Sequence, residues 1–159
     1  MTTIIIDLVK RLVVADTRVT YMKGGKVVKY TKDSRKIFKS SCGKFIMTTS
    51  GNCKLSKDYI KNFCEVQTTD KGGVNTGDDA NILIVNMYNS QTKHIYLKKR
   101  AVGIETKVEY FTGGTFLITG SGCEVATKLM PLLKDACRVV KYVAMKDKYT
   151  NDVLQVMEY

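Results

Sequence analysis

The chain opens Met1-Thr2-Thr3-Ile4-Ile5-Ile6-Asp7. If Met1 is removed, Thr2 carries a hydroxyl and a free α-amine on one residue. Such an amine has a pKa of about 8, so at neutral pH it can take the hydroxyl proton, directly or through water. That pairing suits attack on a carbonyl and a covalent ester intermediate. A small second residue such as Thr favours removal of Met1. The competing reading is the plain start of an edge strand, and Thr3 is the ordinary strand residue behind Thr2 on either reading. The other reactive side chains narrow the chemistry. His94 is the only histidine, which excludes two-histidine metal motifs and would force a Ser-His-Asp triad onto the middle of a hairpin strand. Cys42, Cys53, Cys64, Cys123 and Cys137 form no C-x-x-C pair, which argues against zinc. They read as free buried thiols in a reducing compartment.

The elements that must position Thr2 follow in order. Residues 2–9 and 11–17 read as a first hairpin. Residues 21–31 form a second hairpin or flap around Lys23-Gly24-Gly25-Lys26. Strands are expected over 35–39 and 44–49, with Gly51 directly after. Ser56 is expected to cap a short helix to about Glu65, and residues 67–80 read as a loop. Asn89-Ser90-Gln91-Thr92 joins strands over 81–88 and 93–99. A further strand covers 101–110, and a buried one covers 115–119. Two helices follow, over 124–133 with Pro131 near its end, and after the cap Asp135. Residues 153–157 are a final strand. Helices segregated from strands suggest an α+β fold of two antiparallel sheets with helices outside.

Length and composition agree with one domain over 1–159, 44% apolar, able to bury roughly 70% of its extended surface. No run approaches the roughly 20 apolar residues of a membrane span. The apolar start is short, is broken by Asp7 and lacks a basic segment before it. A soluble cytoplasmic protein is the expectation. Net charge is +11, from 26 Lys and Arg against 15 Asp and Glu. The lysines are spread along the chain, with no RNP-like aromatic motif or zinc finger. The charge reads as a solvated surface, which argues against nucleic acid as partner.

Five segments in order carry a family resemblance. They are Val13-Val14-Ala15-Asp16-Thr17-Arg18-Val19-Thr20, Arg35-Lys36-Ile37, Thr49-Ser50-Gly51-Asn52, Thr119-Gly120-Ser121-Gly122, and 146–152, Lys-Asp-Lys-Tyr-Thr-Asn-Asp. Together they resemble the motifs of proteasome β subunits and the related bacterial two-ring protease subunit, which are N-terminal-threonine hydrolases. The resemblance implies the N-terminal-nucleophile (Ntn) αββα sandwich, with one helical layer shortened. The family places two long helices between Gly51 and Asn81, where this chain has room for one short helix and a loop. Residues 21–35 make a longer flap than the family's connection, and Asn151-Asp152 stands where the family has Gly-Gly.

The resemblance also implies roles. Thr2 would be the nucleophile. Lys36 would stabilise the alkoxide and lower the proton affinity of the amine. Asp16 would hold Lys36 charged, with Arg18 supporting the carboxylates. The Gly51 N–H would serve the oxyanion, worth about 2.7–4 kcal/mol in the transition state. Ser121, Asp147 and Thr150 would surround the Thr2 amine. Each has an ordinary structural alternative, such as helix N-capping for Ser121. The function implied is a threonine peptidase acting on peptides or unfolded proteins. It needs no cofactor and no metal. It would be a homo-oligomer, fed by an ATP-dependent unfoldase, since the chain has no P-loop of its own. The alternative is a catalytically inactive member that binds a partner.

Overall fold

The computed structural model describes residues 2–23, 26–31, 34–64 and 78–159. Within them the order is β1 (Thr3–Asp7), β2 (Leu12–Asp16), β3 (Val19–Lys23), β4 (Lys26–Thr31), β5 (Ile37–Lys39), β6 (Phe45–Gly51), α1 (Cys53–Cys64), β7 (Asp79–Asn86), β8 (Thr92–Lys99), β9 (Ile104–Phe111), β10 (Phe116–Gly120), α2 (Cys123–Leu133), α3 (Ala136–Ala144) and β11 (Leu154–Glu158).

Period-two alternation explains the layering. In β1 the residues Ile4 and Ile6 point one way and Ile5 the other, and all are buried. Ile4 and Ile6 join Val13 and Ala15 of β2 against Ile37, Ile46, Leu83 and Val85 of the other sheet. Ile5 and Val14 turn outward onto Ala126 and Met130 of α2 and Val139, Val140 and Val143 of α3. On the far side, Met47, Ile82, Ile84, Ile95 and Leu97 pack against Ile60 of α1. The result is α2/α3, a sheet ordered β10-β1-β2-β11, a sheet ordered β5-β6-β7-β8-β9, and α1. All strand pairs described are antiparallel, and β3-β4 form a separate hairpin. This is the expected αββα sandwich, with α1 as the helix described on its side.

Several local expectations change. The helix after Gly51 starts earlier than Ser56: the Asn52 side chain accepts from the Leu55 N–H (3.0 Å), and Ser56 Oγ bonds back to the Asn52 carbonyl (3.0 Å). Glu65, the Gly24-Gly25 turn and residues 67–77 of the expected loop lie outside the described residues, while 79 and 80 already belong to β7. The strand expected to be buried, β10, is half-buried, because it forms one edge of its sheet. Cys42 and Cys123 are exposed rather than buried, since one sits in the β5–β6 turn and the other opens α2. Asp135 caps α3 as expected, accepting from the Arg138 N–H at 3.1 Å. No described helix is long and apolar enough to cross a membrane.

Candidate active site

β1 and β2 bring Thr2 and Asp16 together, because antiparallel pairing sets Ile4 opposite Ala15 and leaves the next residues at one end of the hairpin. Asp16 is 0% exposed, and every atom of its carboxylate is used. Oδ1 accepts from Thr2 Oγ1, from the Thr3 N–H (2.8 Å) and from Lys36 Nζ (3.1 Å). Oδ2 accepts from the Arg18 N–H (3.0 Å) and the Asn151 N–H (3.4 Å). Burial of a charge demands such satisfaction.

Lys36, 5% exposed, arrives from the other sheet at the start of β5. Its Nζ also donates to Thr2 Oγ1. The Thr2 hydroxyl oxygen, on a residue 1% exposed, therefore lies between a cation and a carboxylate. The lysine backbone is fixed by Gln155 of β11, whose side-chain oxygen accepts from the N–H groups of Lys36 (2.8 Å) and Ile37 (2.9 Å). The Gln155 amide returns a bond to the Ile37 carbonyl at 2.9 Å.

A second polar cluster backs the first. The Ser121 N–H donates to the Thr2 carbonyl at 2.7 Å. Ser121 Oγ lies 2.5 Å from Asp147 Oδ2, which also accepts from Thr150 Oγ1 at 2.8 Å. Thr150 Oγ1 pairs with Thr3 Oγ1 at 2.7 Å. Ser121 does not cap α2: the N-cap is Gly122, without a side-chain cap bond. The chain enters this turn through Gly120, at φ +104°, where an added Cβ would fall 1.8 Å from the Thr2 carbonyl oxygen. Only glycine allows the backbone so close.

Gly51 ends β6 at φ +86°, with Asp79 O only 2.6 Å from where a Cβ would sit. It stands two residues beyond Thr49, whose N–H donates to the Lys36 carbonyl at 3.3 Å. Thr48 Oγ1 and Ser50 Oγ, on the same face of β6 as Ile46, are buried without a hydrogen-bond partner, as is Thr20 Oγ1. Among the described residues no group of three His, Cys, Asp or Glu side chains is placed to hold a metal ion.

Thr2, Asp16 and Lys36 thus meet directly, while Ser121, Asp147 and Thr150 meet one another around the Thr2 carbonyl and Thr3. The Arg18 guanidinium goes elsewhere than expected: it donates to the Lys148 carbonyl (2.6 Å) and stacks over Tyr30, and only its backbone reaches Asp16. Asn151 and Gln155 are the residues missed from sequence. Asn151 Oδ1 accepts from the Thr17 (3.0 Å) and Arg18 (3.1 Å) N–H groups and so shapes the strand end that presents Asp16. For Gln155, a lone amide in an apolar strand was the available signal.

The two antiparallel sheets with helices outside have the proteasome-like Ntn-hydrolase fold. Solved structures share this fold. Eukaryotic HslV from Trypanosoma brucei matches with TM-score 0.60 at 15% identity, covering 99% of this chain and 100% of that one. BPH from Thiobacillus denitrificans, solved with epoxomicin, gives 0.60 at 17% identity over 99% and 98%. Anbu from Yersinia bercovieri gives 0.65 at 10% identity over 100% and 82%. At these identities the likeness is one of fold. No protein-family model and no curated protein sequence matches the chain.

Proposed function

We propose that the chain is a threonine-type peptidase whose nucleophile is Thr2 after removal of Met1. The observation that carries this reading is the Thr2 hydroxyl held between Lys36 Nζ and Asp16 Oδ1 in a buried setting. The hydroxyl oxygen attacks the scissile carbonyl while its proton passes to the free amine of Thr2. The Lys36 charge stabilises the oxygen as it loses that proton, and low polarisability around it strengthens the effect. Asp16 keeps Lys36 charged and aimed. Gly51 supplies the N–H for the oxyanion. Collapse of the tetrahedral intermediate breaks the C–N bond, the leaving amine takes the proton, and an ester remains on Thr2. Water then hydrolyses the ester with the same amine as base. Ser121 holds the Thr2 carbonyl and Thr150 the Thr3 hydroxyl, with Asp147 bonded to both Ser121 and Thr150.

Peptides or unfolded proteins are the substrates of this reading. A homo-oligomer served by a separate ATP-dependent unfoldase in the cytoplasm completes it. The test is peptidase activity on unfolded polypeptide, with intact mass read on the same sample. Activity in a chain that has lost Met1, abolished in Thr2→Ala, is the expected result. A fully active chain that retains Met1 would overturn the proposal, because the amine would then belong to Met1.

A further inference from the structure

Among the described residues, β9 is an outer edge of the five-stranded sheet. It is eight residues long and runs in unbroken register with β8, from Thr92 opposite Phe111 to Lys99 opposite Ile104. It has neither a proline nor a bulge, two of the usual defences of an edge strand, and it is not short. The hairpin β3-β4, by contrast, carries a register shift at Tyr21/Met22. One face of β9 is apolar: Ile104 is 56% exposed, Val108 39% and Tyr110 63%. That face continues the layer of Ile95 and Leu97, which pack on the side of α1. The other face alternates in charge, Glu105, Lys107 and Glu109.

We infer that β9 pairs antiparallel with β9 of a second copy of this chain, about a two-fold axis at Val108. In a regular antiparallel ladder opposite residues share a face and a hydrogen-bonding direction, so one residue must face its own copy. Centring on Lys107 would set Glu105 against Glu109, like against like. Centring on Thr106 would keep only residues 104–108 within the strand. Centring on Val108 sets Lys107 opposite Glu109 twice, Thr106 opposite Tyr110 and Glu105 opposite Phe111, all inside β9. Lys107 Nζ already lies 2.6 Å from Glu109 Oε1 of its own chain. The two copies would therefore close a ring of four charges of alternating sign, with Val108 against Val108 on the opposite face. Opposite charges and apolar pairs across strands stabilise, and like charges destabilise. The contact is isologous, as two-fold pairing requires. This surface is independent of the chemistry at Thr2.

The test uses the full chain with its native cysteines changed to serine. Residues facing each other across such a ladder have Cα atoms about 4.5–5.5 Å apart, within disulfide range. Val108→Cys is expected to form a disulfide-linked dimer under mild oxidation, and Thr106→Cys is expected to stay unlinked. Sedimentation of the otherwise native chain is the second readout, since it does not depend on the serine background. Lys107→Glu should weaken the pair on the order of tenfold, and Lys107→Glu with Glu109→Lys should restore it. A monomeric native chain, linkage at Thr106→Cys in place of Val108→Cys, or an assembly unaffected by Lys107→Glu would each overturn the proposal.

Discussion

The Thr2 oxygen has two partners of opposite charge, and each can be removed separately. Thr2→Ala keeps a small second residue, so Met1 is still removed, and the change takes away the hydroxyl together with one methyl. Peptidase activity should fall at least about a thousandfold, as expected for loss of a nucleophile, with the melting temperature little changed. Lys36→Ala should also abolish turnover, but it strands Asp16 as a buried, unpaired charge. Breaking such a pair costs about 3–5 kcal/mol, so a lowered melting temperature should accompany the lost activity. Full activity in Lys36→Ala would remove the lysine from the mechanism. The pH profile is set by the amine: kcat/KM should rise from pH 6 to a plateau as an amine with a pKa of about 8, or lower beside Lys36, becomes neutral. The cysteines give a check away from the site. The Ser40 hydroxyl beside Cys42 holds its thiol below the ordinary value, whereas burial pushes Cys137 up. At pH 7.5, iodoacetamide should therefore alkylate Cys42 faster than Cys137, as read by peptide mass spectrometry, because thiolate is the reactive form.

At the scale of elements, the site depends on strand ends held by distant side chains. Gln155→Ala removes the clamp on the Lys36 backbone without touching Thr2. It should lower kcat while leaving Thr2 chemically intact, a split visible in steady-state kinetics. Gly51→Ala forces a Cβ into the left-handed region, at about 1–2 kcal/mol, in addition to the clash with the Asp79 carbonyl. Chemical denaturation should show the loss. These cases also explain what the sequence made legible. The β-rich runs at Ile4-Ile5-Ile6 and Val13-Val14-Ala15 and the Asp135 cap are signals among near neighbours, and the two-sheet fold was legible in the segregation of helices from strands. Asn151 and Gln155 act on Thr17 and Lys36 across most of the chain, so local pattern carried no sign of them. Asn52 was missed because Ser56 is also a capping residue, and only the fold decides between them. Arg18 was misassigned because a guanidinium can satisfy a carbonyl as readily as a carboxylate, and Lys148 lies within its reach.

At the scale of the molecule, the sandwich puts one sheet's hydroxyl against the other sheet's lysine. Neither sheet holds the site alone: Thr2 and Asp16 come with β1 and β2, Lys36 with β5, and the contact forms only when the inter-sheet layer of Ile4, Ile6, Ile37 and Ile46 closes. Burial of each such side chain contributes about 1.5–3 kcal/mol, so the layer that stabilises the fold also sets the distance from Lys36 to Thr2. The most direct measurement is mass spectrometry of the chain after reaction with a hydroxyl-directed inhibitor selective for an N-terminal threonine. The account predicts a single adduct, mapped to Thr2 at the new N terminus, that is absent from Thr2→Ala. An unmodified chain that has lost Met1, or an adduct placed on another residue, would contradict it.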